Sequence, residues 1–166
     1  KGLIELSIPE SDAIPALALR DAIEKRQSLR DYSRRPLELR ELSYLLWCTQ
    51  GVKESSPSWS KRNVPSAGAR HALETYLLVN NVSDLPPGLY HFQALEHRLA
   101  ALNLEREIGP KIRQAGLGQP IISASAATFI WVAVAYRMTW RYRARGYRYL
   151  HLDAGLSGMQ SVEAEP

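Results

Sequence analysis

Apolar residues recur at helical spacing through the first third of the chain and at alternate or consecutive positions through the middle, a pattern that predicts helices followed by sheet. Ser11-Asp12 with Pro15 reads as a cap and first turn, opening a helix from Ala16 to Lys25 that places Leu17 and Ile23 on one buried stripe. Pro36 precedes a second helix from about Glu38 to Gln50. There Leu39, Leu42, Leu45 and Leu46 repeat at helical spacing, and Gly51 stands where a C′ glycine belongs. Between Lys53 and Gly68 the residues turn to Ser, Pro, Lys, Arg and Gly, which predicts a loop.

Strands are predicted over Thr75 to Val82, Leu89 to Gln93 and Leu99 to Leu102. The turn Asp84-Leu85-Pro86-Pro87-Gly88 separates the first two and suggests an antiparallel meander. A helix is expected from Gly109-Pro110 to Ala115, with a shorter one after Gln119-Pro120. Thr128 to Tyr136 is nearly continuous Phe, Ile, Trp, Val and Ala, which predicts a central strand covered on both faces. Arg137 to Arg145 and Tyr147 to Ser157 read as helices divided by Gly146. No repeat or linker divides the chain, so a single α+β domain over residues 1–166 is expected. Of its 166 residues, 45% are apolar, enough for a core that buries roughly two thirds of the unfolded chain's surface.

The net charge of +4 comes chiefly from arginine, whose planar fork suits phosphate and carboxylate, so an anionic ligand is expected. Cys48 is the single cysteine and lies within Tyr44-Leu45-Leu46-Trp47-Cys48. This excludes an internal disulfide and predicts a buried thiol in a reducing compartment. The first residues reach Pro9 too soon for a signal peptide, and no apolar run is long enough to cross a bilayer. A soluble cytoplasmic protein, with no membrane partner, is the expectation.

Two constellations carry candidate chemistry. In Arg26-Gln27-Ser28-Leu29-Arg30, two guanidinium forks flank a hydroxyl, a compact clamp for one phosphate. Arginine and serine at a helix C-terminus also complement its dipole without any ligand. In Val64-Pro65-Ser66-Ala67-Gly68-Ala69-Arg70, small residues allow backbone groups to approach a flat ring closely, although a plain turn before a strand has the same composition. His71, His91, His97 and His151 lack partners at ligand spacing, so no metal site is expected. Ser66 lacks the Gly-x-Ser-x-Gly elbow of a serine hydrolase, and Gly116-Leu117-Gly118 lacks the third glycine of a dinucleotide fingerprint.

Arg137 to Tyr149 interleaves arginines with aromatics, as nucleic-acid surfaces do. On a helix, however, Arg137, Arg141, Arg145 and Arg148 share one face while Tyr136, Trp140, Ala144 and Tyr147 share another. Amphipathic packing therefore accounts for the pattern, and a basic nucleic-acid-binding domain is the lesser alternative.

The order Arg26-x-Ser28-x-Arg30, Leu42 to Trp47 with Gln50-Gly51, Pro65 to Arg70 before Glu74-Thr75-Tyr76, Pro87-Gly88-Leu89-Tyr90-His91, then Tyr142, Arg145 to Tyr149 and Asp153-Ala154-Gly155 resembles the nitroreductase superfamily. Within it the chain is most similar to the branch of SagB-type dehydrogenases, which includes enzymes that oxidise azolines to thiazoles and oxazoles. The resemblance implies a nitroreductase-like fold, a central mainly antiparallel sheet flanked by helices, in a homodimer. It also implies FMN at the dimer interface. Arg26, Gln27, Ser28 and Arg30 would bind the ribityl phosphate and pyrimidine edge, and Pro65, Ser66, Ala67 and Gly68 would lie along the isoalloxazine ring. Hydride would pass through flavin N5 by a ping-pong route, with NAD(P)H as a possible donor and a nitroaromatic, a quinone or a peptide azoline as substrate.

A Lys-Tyr pair handles protons in the azoline oxidases, and Arg141-Tyr142 matches it here; arginine stays protonated and cannot be the base. Family members usually continue for several tens of residues beyond the Asp-Ala-Gly segment, so the domain is expected to be C-terminally incomplete. That departure motivates a second reading, a non-catalytic or flavin-free scaffold descended from the same fold.

Overall fold

The computed structural model describes residues 2–9 and 17–162, with side chains to 158. The cap expected at Ser11-Asp12 and Pro15 and the four C-terminal residues lie outside them. The described chain runs β1 (Leu3–Glu5), α1 (Leu19–Lys25), α2 (Leu39–Gln50), β2 (Val52–Ser56), β3 (Trp59–Arg62), β4 (Leu73–Val79), β5 (Gly88–Gln93), β6 (Arg98–Asn103), α3 (Ile108–Ala115), α4 (Ile121–Ala124), β7 (Ala127–Ala133), α5 (Ala135–Tyr142) and α6 (Gly146–Val162). Five strands form one antiparallel sheet in the order β1-β6-β5-β4-β7, and β2 pairs with β3 in a separate hairpin. This is the α+β architecture read from the sequence.

Helix α2 organises the larger core. Its N-terminus is closed by a reciprocal capping box between Glu38 and Glu41, in which the Glu38 backbone N–H donates to Glu41 Oε2 at 2.8 Å. Leu42 and Leu46, one turn apart, are fully buried against Leu77, Tyr90, Phe92 and Leu99 of the sheet. Each such leucine stabilises the fold by about 1.5–3 kcal/mol. A smaller cluster, Ala72, Met138 and Leu150, fastens α5 and α6 to the loop before β4, with Tyr142 and Tyr149 packed on it.

Several expectations are corrected. Thr128 to Tyr136 is not the central strand: β7 ends at Ala133, pairs only with β4 and forms an edge of the sheet, half-buried along most of its length. An apolar run identifies a strand without saying which neighbours cover it. The expected loop from Lys53 to Gly68 contains the β2–β3 hairpin, whose strands are polar and largely exposed and so carry no hydrophobic alternation. Helix α1 has no buried residue, and Leu17, Leu19 and Ile23 are 48%, 65% and 66% exposed, so its apolar stripe finds no cover among the described residues. Gly51 ends α2 with φ −56°, not in a left-handed turn. Its lack of a side chain matters because a Cβ there would lie 2.7 Å from Asn63 Nδ2.

The aromatic face expected to pack along Arg137–Tyr149 faces out: Tyr136, Trp140 and Tyr147 are 71%, 63% and 59% exposed, while Met138 is fully buried. On α5 the buried position is Met138, two residues from each of Tyr136 and Trp140, so those rings fall on the opposite side of that helix. Arg143, at φ 50°, turns the chain between α5 and α6, so one continuous helical spacing does not hold across it. Cys48 is half-buried rather than buried.

Candidate functional site

The small-residue loop from Val64 to His71 is held in an unusual backbone shape. Gly68, Ala69 and His71 have φ of 60°, 52° and 42°, the left-handed region that L side chains enter only under constraint. The constraint comes from Asp153 of α6, a carboxylate that is 5% exposed. Its Oδ2 accepts from Ser66 Oγ at 2.6 Å and its Oδ1 from the Ala67 backbone N–H at 3.2 Å, while Ser66 Oγ accepts from the His71 N–H at 2.9 Å. One buried anion thereby fixes both ends of the turn. These charge-assisted bonds are stronger than neutral ones.

The brace extends into the core. Ser157 Oγ donates to the Asp153 carbonyl at 3.1 Å and accepts from Gln50 Nε2 at 3.3 Å, and Gln50 Oε1 accepts from Arg62 Nη1 at 3.0 Å. Helix α2, strand β3, helix α6 and the loop thus share one hydrogen-bond chain, and its members are rigid relative to one another.

Tyr142 closes over the loop from the end of α5. A Cβ on Gly68 would lie 2.5 Å from the Tyr142 hydroxyl and 3.3 Å from Arg141 Cδ, so the two motifs separated in sequence meet here. Tyr142 packs edge-on against Tyr149, with ring centroids 4.6 Å apart. The arrangement places a phenol hydroxyl beside a flat stretch of small residues.

Next to this loop is a cavity of about 720 Å³ between the β2–β3 hairpin, β4 and β5, and the start of α5. At its base Glu74 takes Arg137 Nη2 at 2.6 Å on one oxygen and His91 Nε2 at 3.0 Å on the other. Burial raises the Glu74 carboxyl, but the bonds from His91 and Arg137 outweigh it and hold the group below its ordinary range. His71 is pushed down by burial and by the Arg62 charge, so it is neutral near pH 7. Its Nε2 lies 3.2 Å from the Ser60 carbonyl, which can only accept, so that nitrogen carries the proton.

Of the residues singled out from sequence, Ser66, Ala67, Gly68, Arg141 and Tyr142 come together; Pro65 precedes them, exposed. Arg26, Gln27, Ser28 and Arg30 do not join them. They lie exposed in an extended segment after α1. Sequence reasoning missed the roles of Asp153, Gln50, Arg62 and Arg137. Asp153 and Gln50 lie inside motifs that carried the resemblance, a usable signal; Arg137 stands out only as one arginine of the Arg137–Tyr149 stretch, and Arg62 offered none.

Comparison with known proteins bears on the family and the fold. The sequence model of the nitroreductase family matches residues 23–164. A protein of Methanocaldococcus jannaschii described as a nitroreductase is 34% identical over 152 residues, 92% of this chain and 73% of its own. A Ralstonia eutropha protein with the same description, solved by crystallography, superposes with a TM-score of 0.74 at 23% identity, over 98% of this chain and 70% of that one. The Escherichia coli microcin synthetase complex, solved with truncated pro-MccB17 bound, aligns with a TM-score of 0.65 at 17% identity, over 95% of this chain and 62% of that one. At these identities the two structures establish the fold alone.

Proposed function

Because the chain belongs to the nitroreductase family, we propose that it is an FMN-dependent oxidoreductase that works as a homodimer, with a SagB-type dehydrogenase as the nearest functional analogue. The observation that carries this reading is the Asp153-braced loop, whose left-handed Gly68, Ala69 and His71 are held in a costly conformation beside a cavity. Strain of this kind, held in place by surrounding structure, belongs to ligand sites more than to plain turns. The small side chains of Ser66, Ala67 and Gly68 fit the face of a flat heteroaromatic ring.

In this proposal Pro65, Ser66, Ala67 and Gly68 of one subunit lie along the isoalloxazine, while Arg26, Gln27, Ser28 and Arg30 of the other hold the ribityl phosphate and pyrimidine edge. The separation of these two groups within one chain is what a site shared between subunits requires. The exposed stripe of α1 and the edge of β7 supply unpartnered surface for such a dimer. Bound FMN supplies two-electron hydride chemistry at N5 in alternating half-reactions, with NAD(P)H as donor. Tyr142 brings its hydroxyl beside Gly68 of the loop, and Arg141 offers a guanidinium fork to anionic groups. The substrate class proposed is a nitroaromatic, a quinone or a peptide azoline. Among the described residues no helix is long and apolar enough to cross a membrane, and a cytoplasmic location suits the single half-buried thiol.

A second reading, a flavin-free scaffold, is favoured by one observation: none of the Arg26–Arg30 side chains makes a hydrogen bond or ion pair among the described residues. The absorbance spectrum of the purified protein separates the two. Flavin bands, with FMN released on denaturation, are expected; a colourless protein that also fails to take up added FMN would establish the scaffold instead.

A further inference from the structure

The cavity beside the braced loop has an unbalanced charge. Glu74 is bonded to Arg137 and His91, so it acts on Arg62 through its charge without a direct contact. That guanidinium is half-buried, spends Nη1 on the neutral oxygen of Gln50 at 3.0 Å, and has a buried Nε–H with no hydrogen-bond partner. Among the described residues it makes no salt bridge; burial disfavours its charge, the charge of Glu74 attracts it, and that of Arg137 offsets part of the attraction. Arginine does not escape by losing its proton. A half-buried guanidinium with an unpartnered N–H is destabilising, so its retention at a cavity wall calls for an anion that completes it.

The rest of the lining says what kind of anion fits. Trp59 and Trp140, 48% and 63% exposed, present rings around the same space, with Lys61 over the first and Arg70 over the second, each 5.5 Å from the ring centroid. Aromatic walls above a cationic base accept a planar apolar body carrying one negative group. A bare phosphate would leave those walls wet.

We propose that this cavity binds an aromatic carboxylate, with Arg62 as the group that receives the carboxylate and Trp59 and Trp140 as the walls that take the ring. The site does not require flavin, since every residue in it belongs to one chain, and Arg62 is tied to α2 and α6 by the hydrogen-bond chain through Gln50 and Ser157.

The test is a titration of the flavin-free protein with phenylacetate and, separately, with its neutral isostere phenylacetamide at low ionic strength, followed in proton–nitrogen correlation spectra. Phenylacetate is expected to shift the indole signals of Trp59 and Trp140 and to bind roughly tenfold tighter than the amide, the size of one charge-assisted contact. Arg62→Met should remove that preference, and Arg62→Lys should restore part of it. Equal affinity for acid and amide, shifts confined to other regions, or an unchanged preference in Arg62→Met would overturn the proposal. Should Arg62→Met not fold, the ratio of the two ligands on the unaltered protein decides the matter. Because binding is read without FMN, failure here leaves the oxidoreductase reading intact, and a colourless protein leaves this one intact.

Discussion

The two halves of the proposed flavin site are built in opposite ways. Residues 64–71 sit in a network in which a buried carboxylate, a serine, a glutamine and an arginine fix a strained backbone. Residues 26–30 are exposed throughout and follow a seven-residue helix with no buried side chain. The first half is preorganised by its own chain; the second is a chemically apt segment whose shape must come from whatever covers it. Ordering such a segment on binding costs free energy that a preorganised loop does not incur.

That contrast is breakable. The largest effect is expected for Asp153→Ala, which leaves Ser66 Oγ and the Ala67 N–H without their acceptor and the left-handed turn without its brace. A loss of about 2–4 kcal/mol of unfolding free energy is expected, read by urea denaturation. A loss below about 0.5 kcal/mol would show that the loop holds its shape without the carboxylate.

Arg26→Ala and Arg30→Ala should behave in the reverse manner. Neither should change unfolding midpoints appreciably, because exposed side chains without partners contribute little. Each should weaken FMN uptake by on the order of 1–3 kcal/mol in a flavin titration, through loss of a charge-assisted contact. Unchanged flavin affinity in both variants would remove this segment from the site.

The smallest effect is expected at Gly68. Gly68→Ala places a Cβ 2.5 Å from the Tyr142 hydroxyl at φ 60° and should cost about 1–2 kcal/mol, seen as a lowered Tm. Combining it with Tyr142→Phe should recover the steric part and leave the backbone part. Full additivity of the two changes would show that the hydroxyl is not the obstacle.

Much of the architecture was legible because it is local. Leu39, Leu42 and Leu46 mark α2 by spacing, and the turn at Asp84–Gly88 separates β4 from β5 as expected. The β2–β3 hairpin was illegible because its strands bury no apolar face, and the place of β7 was illegible because an apolar edge strand and a central strand share one composition. The candidate site divides in the same manner. Ser66 to Gly68 stand out by their small side chains, but nothing near position 66 announces that position 153 holds it.

The sequence alone determined the elements with strong periodicity, the candidate anion clamp and the small-residue turn, since each depends on neighbours within a few positions. Only the tertiary structure decided that Asp153 braces the turn, that Tyr142 meets Gly68, and that Arg62 keeps a buried Nε–H without an acceptor. Those outcomes depend on how α6, α5 and β3 converge, and long-range packing is set by the whole core rather than by any one stretch of residues.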